Sequence, residues 1–260
     1  MNPSSLPHTL DRRVVIRARP ETVFRYFTDS ERWAAWWGQG STIDPRPGGR
    51  VFVRHPNAVE AAGEVLEIDP PRRIVYTIGF STGQPIPVGG SRVTITLEGD
   101  AFGTRLHLRH EFSEADVRDH HVQGWRYQLA VFANVVADGM LAGAATKVDA
   151  WFAAWSEPDA ARRSEILAAT VAQGVRFRDR FSLVEGLGDL EPHLAAVHLF
   201  MPGSRLSRAG DIRHCQGTVL ADWVAHRADG GEMGRGTNVF GLDADGRIED
   251  VVGVWGPTGK

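Results

Sequence analysis

The chain has 260 residues, of which 42% are hydrophobic and 23% charged, so it can bury one or two ordinary cores and is not a disordered chain. Its 29 basic and 32 acidic side chains give a net charge of −3, and this lack of a basic excess argues against nucleic acid as a partner. The single cysteine, Cys215, excludes internal disulfides and cysteine-rich zinc sites. Since no apolar run reaches the roughly 18 residues of a membrane span and no secretory signal is visible, we expect no membrane contact and a cytoplasmic location.

The first half of the sequence predicts one strand, two short helices, an antiparallel sheet and one long helix, in that order. Pro20 and Glu21 suit the first turn of a helix, because proline needs no hydrogen-bond partner there and a carboxylate complements the helix dipole. Apolar residues recur every three or four positions over 114–140, which is typical of an amphipathic helix that covers a sheet and commonly leaves a cavity. The predicted strands lie at 14–16, 50–54, 63–68, 73–80, 91–97 and 104–112, and the short helices at 20–27 and 33–37.

The second half reverses this order, with helices first and strands after them. The sequence Asp243–Gly246 is typical of a hairpin turn between two strands. Small residues at 140–147 separate the two patterns, so we predict two α+β domains, 1–143 and 144–260. The predicted helices lie at about 147–156, 158–171 and 190–200, a strand or loop at 175–181, and further strands at 205–215, 217–227, 234–242 and 247–255.

Several short motifs follow one another in the first half. They are Trp36-Trp37-Gly38, Pro47-Gly48-Gly49, Gly63-Glu64-Val65, the run from Ile68 to Arg73, His110 and Gly124-Trp125. In this order they resemble the activator-of-heat-shock-protein-90-ATPase homologue family of the START-like (SRPBCC) superfamily. The resemblance implies a helix-grip domain that encloses an apolar cavity. It also implies, as one candidate function, a chaperone-associated interaction protein.

The second half carries a different set of motifs. They are Trp-Phe-Ala-Ala-Trp at 151–155, Phe-Arg-Asp-Arg-Phe at 177–181, Gly-Thr-Asn-Val at 236–239 and the turn that runs into Ile248. These motifs resemble the SnoaL-like, nuclear-transport-factor-2-like superfamily, which implies a cone-shaped α+β barrel with an open end. That superfamily contains ketosteroid isomerases, polyketide cyclases, dehydratases and pure binding modules, so the fold does not determine the function. It also implies a possible homodimer through the C-terminal domain.

Asp179 is the first candidate catalytic residue. It lies between Phe177 and Phe181, and the alternation of an extended chain predicts all three side chains on one side. A carboxylate among aromatic rings is desolvated, which favours its taking up a proton and suits a general base. The resemblance assigns the same role, since the matching aspartate of the isomerases abstracts the substrate proton. The alternative is a structural carboxylate that caps local amides or pairs with Arg178 or Arg180.

Asn238 and His198 are the candidate assistants of Asp179. The resemblance places Asn238 at the oxyanion hole, where an amide can donate a hydrogen bond at any pH, although it can equally be a satisfied polar residue. His198 lies on an apolar helix face and either pairs with Asp179 or packs in the core. The isomerases place a tyrosine on the first helix, whereas the tyrosines of this chain all lie before residue 128. Ketosteroid isomerisation itself is therefore not expected.

The candidate ligand-binding residues are aromatic side chains and one histidine. His110 alternates with Leu106, Leu108 and Phe112, so it faces the long helix and either contacts a ligand or is a satisfied core histidine. Gly124 is expected to let that helix approach closely. Core packing is the alternative for each tryptophan. The full set is Trp36, Trp37, His110, Trp125, Trp151, Trp155, Trp223 and Trp255.

The leading interpretation is a protein that binds a small hydrophobic molecule in apolar pockets of one or both domains. The alternative is a cofactor-free isomerase, cyclase or dehydratase with Asp179 as the base, and the chaperone-associated role is third. We expect no metal, because the neighbours His120 and His121 point about 100° apart on a helix. We expect no cofactor, because no phosphate-binding loop or dinucleotide motif is present.

Overall fold

The computed structural model describes residues 6–256, which fold as two units divided between Ala137 and Asp138. Each unit combines helices with one large sheet, so the predicted α+β class is confirmed for both halves. The division lies a few residues before the boundary predicted at 143, within the last turn of a helix that ends at Met140.

The first unit is built on an antiparallel sheet of seven strands. Its elements are β1 (His8–Ile16), α1 (Pro20–Arg25), α2 (Ser30–Trp37), β2 (Thr42–Ile43), β3 (Arg50–Arg54), β4 (Glu60–Asp69), β5 (Arg73–Phe80), β6 (Ser91–Asp100), β7 (Gly103–Phe112) and α3 (Ala115–Met140). The strand order across the sheet is β1-β7-β6-β5-β4-β3-β2. A bulge between Val65 and Glu67 interrupts the pairing of β4 with β5, and a bulge bends its strand.

The two short helices begin where their sequences favour it. Pro20 and Glu21 occupy the first turn of α1, as predicted. Asp29 caps α2 by accepting a hydrogen bond from the backbone N–H of Arg32 at 3.0 Å. The apolar stripe of α3 is buried and includes Trp125, Leu129, Phe132 and Val136.

β1 is longer than the strand predicted at 14–16, because it already begins at His8. Its outward-facing Asp11 lies 2.8 Å from Nε2 of His107 and accepts a hydrogen bond from Nε of Arg109 at 3.3 Å, both on β7. Leu10 on the same segment is only 3% exposed. The prediction covered only the apolar run at 14–16. The preceding residues also belong to the strand, because their polar side chains pair with β7.

The second unit is built on a mixed sheet. Its elements are α4 (Ala144–Ser156), α5 (Ala160–Thr170), β8 (Val171–Arg178), β9 (Leu183–Glu185), α6 (Leu187–Phe200), β10 (Arg205–Arg208), β11 (Arg213–Cys215), β12 (Thr218–His226), β13 (Glu232–Leu242) and β14 (Ile248–Trp255). The order is β10-β12-β13-β14-β8-β9, with β11 also paired to β12. β8 runs parallel to β14, and the other pairings are antiparallel.

The strand predicted at 205–215 is in fact two strands, β10 and β11, which pair with different parts of β12. The chain leaves the sheet at Gly210, whose φ of +80° is a conformation that glycine adopts readily. The core of the unit lies between the sheet and α4, where Trp151 and Phe152 each lie 6.1 Å from the ring of Phe240.

Within residues 6–256, no single helix is long and apolar enough to cross a membrane. Only α3 and α4, taken together as a bent pair, satisfy that criterion of length and composition.

Candidate functional site

The first unit contains a cavity of about 710 Å³ between the N-terminal half of α3, β5 and two loops. One loop joins β3 to β4 and contributes His55 and Val59, and the other joins β5 to β6 and contributes Ile86. Trp37 and Trp125 form part of the aromatic wall. Among the described residues that line this cavity there is no lysine, arginine, aspartate or glutamate. The lining is therefore apolar and uncharged, with histidines as its main polar groups.

One face of α3 forms a wall of the cavity. His121, Gly124, Trp125 and Gln128 recur at helical spacing and all line it. The expectation that Gly124 permits close approach of the helix is wrong, because a Cβ placed on Gly124 would meet no atom within 4 Å. Gly124 is exposed and leaves the cavity open at this position.

His110 is 2% exposed and both of its ring nitrogens are used. The indole N–H of Trp125 donates to Nδ1 at 2.8 Å, and since an indole can only donate, Nδ1 is the acceptor and Nε2 carries the proton. Nε2 then donates to Oγ of Ser91 at 2.8 Å, and Ser91 donates to the carbonyl of Ile78 at 2.7 Å. Burial and, secondarily, His121 hold the pKa of His110 well below its usual value.

This chain of hydrogen bonds connects α3 to three neighbouring strands, β7, β6 and β5. Every polar atom in it has a partner, so the geometry favours the interpretation of His110 as a satisfied core histidine. Its ring still forms part of the cavity wall. His110 has no nitrogen left to bind a ligand.

His121 was not among the predicted ligand contacts, yet it lies in the cavity wall. Nδ1 of His121 lies 2.7 Å from the carbonyl of Val117, and Nδ1 of His120 lies 2.6 Å from the carbonyl of Asp116. A carbonyl only accepts, so each Nδ1 carries a proton. Burial lowers the pKa of His121, against the hydrogen bond to Val117. The position of His121 one helical turn before Trp125 was the signal that could have identified it.

His55 is the second cavity histidine that the sequence analysis missed. Its ring lies edge-on to Trp37 at 5.6 Å, and burial lowers its pKa. Because His55 follows the end of β3 in a loop, no helical or strand periodicity could indicate its orientation. No group of three or more His, Cys, Asp or Glu side chains within residues 6–256 could hold a metal ion.

The two tryptophans predicted from α2 have different surroundings. Trp37 lines the cavity, and its indole N–H is buried without an acceptor among the described residues. Trp36, also predicted as a ligand contact, is not among the lining residues. Its indole donates to the carbonyl of Tyr26 at 3.3 Å, and its ring packs against Phe132 at 4.8 Å. Trp36 therefore packs in the core behind Trp37.

In the second unit, Asp179 lies in the turn between β8 and β9. Its Oδ1 accepts from the backbone N–H of Phe181 at 2.8 Å, and its Oδ2 accepts from the indole of Trp255 at 3.0 Å. The prediction that Phe177 and Phe181 share one side is wrong, since Phe177 is 4% exposed and Phe181 is 71% exposed. The alternation ends with β8 at Arg178, and the chain then reverses direction.

Neither neighbouring arginine pairs with Asp179. Arg178 donates to Asp250 at 3.1 Å, and Arg180 lies over the ring of Phe181 at 4.9 Å. Of the two structural alternatives for Asp179, capping of a local amide is therefore present and pairing with a neighbouring arginine is not.

Asn238 and Asp179 come together around Gly253, which is the register partner of Asn238. A Cβ built on Gly253 would lie 3.0 Å from Cβ of Asp179, 3.3 Å from Oδ1 of Asn238 and 3.7 Å from Cε2 of Phe177. Asp179 of the turn and Asn238 of β13 therefore both lie next to Gly253 of β14.

The charged groups that act on His198 are Arg163 and Glu157, and Asp179 is not among them. Burial lowers the pKa of this histidine, Arg163 acts in the same direction and Glu157 opposes it. The histidine that approaches the turn is His193, whose Nε2 lies 3.2 Å from Oγ of Ser182. The sequence analysis missed His193, which lies five positions before His198 and so on a different side of α6.

The remaining predicted tryptophans form an aromatic cluster. Trp151 and Trp155 lie 5.8 Å apart, and Trp223 and Trp255 lie 5.0 Å apart. The indole N–H groups of Trp151, Trp155 and Trp223 are buried and have no acceptor among the described residues. Trp255 differs from them because it donates to Asp179.

Comparison with known proteins gave one family match and several similar solved structures. The family model described as Activator of Hsp90 ATPase homolog 1-like protein matches residues 17–137, within the first unit. The search of curated proteins gave no match.

Among solved structures, the chain is similar to a protein from Agrobacterium tumefaciens named as a candidate isomerase of the SnoaL-like family, at 29% identity over 43% of this chain and 95% of that chain, with a TM-score of 0.41. A protein from Mesorhizobium loti is 21% identical over 50% of this chain and 96% of its own, with a TM-score of 0.44. The Aha1 dimer from Colwellia psychrerythraea is 18% identical over 46% of this chain and 90% of its own, with a TM-score of 0.41.

Proposed function

We propose that the first unit binds an uncharged, predominantly apolar small molecule in the cavity beneath α3. The observation that carries the proposal is the cavity itself, about 710 Å³ in volume and without charged lining residues. Pockets for small molecules typically measure about 300–1,000 Å³ and are lined by apolar and aromatic side chains with a few polar groups. A lining of this kind favours a ligand that does not need an ionic partner.

Two features that keep the cavity open also lower the stability of the fold, and a binding role would explain why they are present. Apolar side chains that line a pocket make fewer packing contacts with the protein than they would in a filled core, which lowers the free energy of unfolding. Gly124, in the middle of a helix, lowers it by about 1 kcal/mol relative to alanine, although an added Cβ would fit. Both features weaken the protein and both keep the cavity open. The helix-grip resemblance of this half, a sheet and long helix around an apolar cavity, agrees with this interpretation.

The test is mass spectrometry of the freshly purified protein under native and denaturing conditions. A bound molecule gives a mass excess that disappears on denaturation. In a Gly124→Leu variant the new side chain occupies the cavity, so we expect the excess to be lost. Gln123→Leu adds the same side chain at the neighbouring helical position, which does not line the cavity, and should retain it. A mass excess that persists in Gly124→Leu contradicts the proposal.

We propose a second candidate function for the second unit, a cofactor-free isomerase, cyclase or dehydratase with Asp179 as the general base. The observation that favours it is that Asp179 and Asn238 both lie against Gly253, with Oδ1 of Asn238 nearest to it. A carboxylate can act as a base, and the NH2 group of an asparagine can donate to an oxyanion. The cone-shaped barrel implied by the resemblance would enclose this place. His193 replaces His198 as the candidate assistant, since His193 contacts the turn that holds Asp179.

Proton exchange tests this second function. A panel of enolisable ketones is incubated with the protein in deuterated water, and deuterium incorporation is followed by nuclear magnetic resonance. Asp179→Asn should abolish catalysed exchange while the asparagine oxygen still accepts from the N–H of Phe181. Asp250→Asn, which affects the pair with Arg178 instead, is the matched control. Equal exchange rates in both variants would rule out Asp179 as the base.

A further inference from the structure

We propose that the cavity of the first unit selects a neutral ligand that carries a hydroxyl group, and that Nε2 of His121 accepts the hydrogen bond from this hydroxyl. The inference rests on the proposed function, and it adds the chemical class of the ligand and the residue that recognises it. Three features of the cavity carry it, namely the tautomer of His121, its surroundings and the polarity of the other lining groups.

The tautomer of His121 follows from its own helix. Nδ1 lies 2.7 Å from the carbonyl of Val117, so Nδ1 is the donor. In a neutral imidazole the other nitrogen is then an acceptor with a free lone pair. Within the described part of the chain, Nε2 of His121 has no hydrogen-bond partner. A ligand in the cavity can supply the missing donor.

The surroundings of His121 keep this acceptor uncharged. Its ring lies 4.9 Å from Phe112, 6.2 Å from Phe80 and 5.6 Å from His110, whose two nitrogens already have partners. No acidic side chain lines the cavity to stabilise an imidazolium. Burial also lowers the pKa of His121. The ring therefore presents a lone pair and not a positive charge.

The other polar groups of the lining point to the same class of ligand. His120 is exposed at the rim, and its Nδ1 donates to the carbonyl of Asp116. The indole of Trp125 is already used by His110. The indole N–H of Trp37 has no acceptor among the described residues, and a hydroxyl oxygen can accept such a hydrogen bond as well as donate its own. Tyr127 is 69% exposed and lies at the rim. An anion would lose its hydration without gaining a cationic partner, so the complementary ligand is neutral and donates.

Three naphthalenes of nearly equal shape test this inference by equilibrium dialysis. 2-Naphthol offers a hydroxyl donor, 2-methoxynaphthalene has no donor, and 2-naphthoate is an anion. We expect 2-naphthol to bind about tenfold more tightly than 2-methoxynaphthalene, which is the size of effect of one hydrogen bond. We expect 2-naphthoate to bind more weakly than either of the neutral probes.

The variant His121→Phe isolates the proposed acceptor. It retains an aromatic ring of similar size and removes the lone pair, so the affinity for 2-naphthol should fall to that for 2-methoxynaphthalene, whose own affinity should not change. His214→Phe, at an exposed strand position of the other unit, is the control and should retain the preference. If His121→Phe does not fold, as judged by circular dichroism, the comparison of the three probes on the unaltered protein still decides the donor preference.

The outcomes separate this inference from the proposed function. Equal affinities for 2-naphthol and 2-methoxynaphthalene, or an equal loss of both in His121→Phe, overturn the inference alone. If no naphthalene binds, or if Gly124→Leu binds all three as the unaltered protein does, the proposed function of the cavity is overturned as well.

Discussion

Trp125 of α3 donates its indole hydrogen to Nδ1 of His110 on β7, across 2.8 Å of protein interior. Neither partner is more than 5% exposed. This single bond determines the tautomer of the histidine and, through Ser91, aligns the long helix over the middle of the sheet. The wall of the cavity is thus rigid where the helix meets the strands.

Removing this donor should destabilise the first unit. In Trp125→Phe the buried Nδ1 of His110 loses its partner, and an unsatisfied buried polar atom costs about 1–3 kcal/mol in the free energy of unfolding. Urea denaturation measures the loss. Tyr127→Phe removes a polar hydrogen from an exposed ring on the same helix and should change the free energy little. Equal effects of the two substitutions would show that the indole hydrogen bond contributes nothing.

Stability should also fall as the medium becomes mildly acidic. The folded-state pKa of His110 lies well below the ordinary value of 6.5, so below pH 6.5 the unfolded chain binds a proton that the folded chain does not. Each such histidine lowers the free energy of unfolding by up to about 1.4 kcal/mol per pH unit. Burial lowers the pKa of His121 and His55 in the same sense.

The measurement is the free energy of unfolding between pH 7.5 and 5, above the range in which most carboxylates titrate. His110→Gln should be less stable at neutral pH and should show a shallower slope. A free energy that is constant across this range would mean that these histidines take up protons without cost.

Gly124→Ala should raise stability by about 0.5–1 kcal/mol, since alanine is the better helix former and its Cβ enters open space. Gly63→Ala provides the contrast, because a Cβ there would lie 1.9 Å from the carbonyl oxygen of Thr77. Overpacking of that kind costs about 1–3 kcal/mol. Thermal unfolding followed by circular dichroism distinguishes the two variants. A loss of stability in Gly124→Ala would show that the space beside α3 is not open.

Asp179 should stabilise the turn between β8 and β9 whether or not it is catalytic. Asp179→Ala removes the acceptors of Phe181 N–H and of the Trp255 indole, which should cost about 1–3 kcal/mol in the free energy of unfolding. Asp179→Asn retains one acceptor and should cost less. If urea denaturation gives the same value for both variants and the unaltered protein, the carboxylate has no structural role.

The sequence predicted those features that depend on periodicity. The stripe of α3 and the strands β3, β5 and β7 follow regular spacing, and each was found within a few residues of its prediction. The strand at 205–215 was wrong because two short polar strands on either side of Gly210 have the same pattern as one longer strand. Periodicity alone does not show where a chain leaves its sheet.

The candidate sites were predictable to different degrees. Trp37, His110 and Trp125 were recognised and lie in the cavity wall, because strand alternation and helical spacing determine their direction. His121 was not predicted as a ligand contact, because the acceptor it presents depends on a hydrogen bond within its own helix. Phe181 was misplaced because the alternation stops at a turn, and the role of Gly124 could not be inferred because the sequence does not record empty space.

The hydrogen bond between Trp125 and His110 also provides a spectroscopic signal for occupancy of the cavity. Among the eight tryptophans of the chain, Trp125 both lines the cavity and donates to a histidine nitrogen. Its indole resonance in a proton–nitrogen correlation spectrum should therefore report directly on that histidine. Addition of a molecule that enters the cavity would move this signal together with that of Trp37, which also lines the cavity, so occupancy can be followed without a label on the ligand.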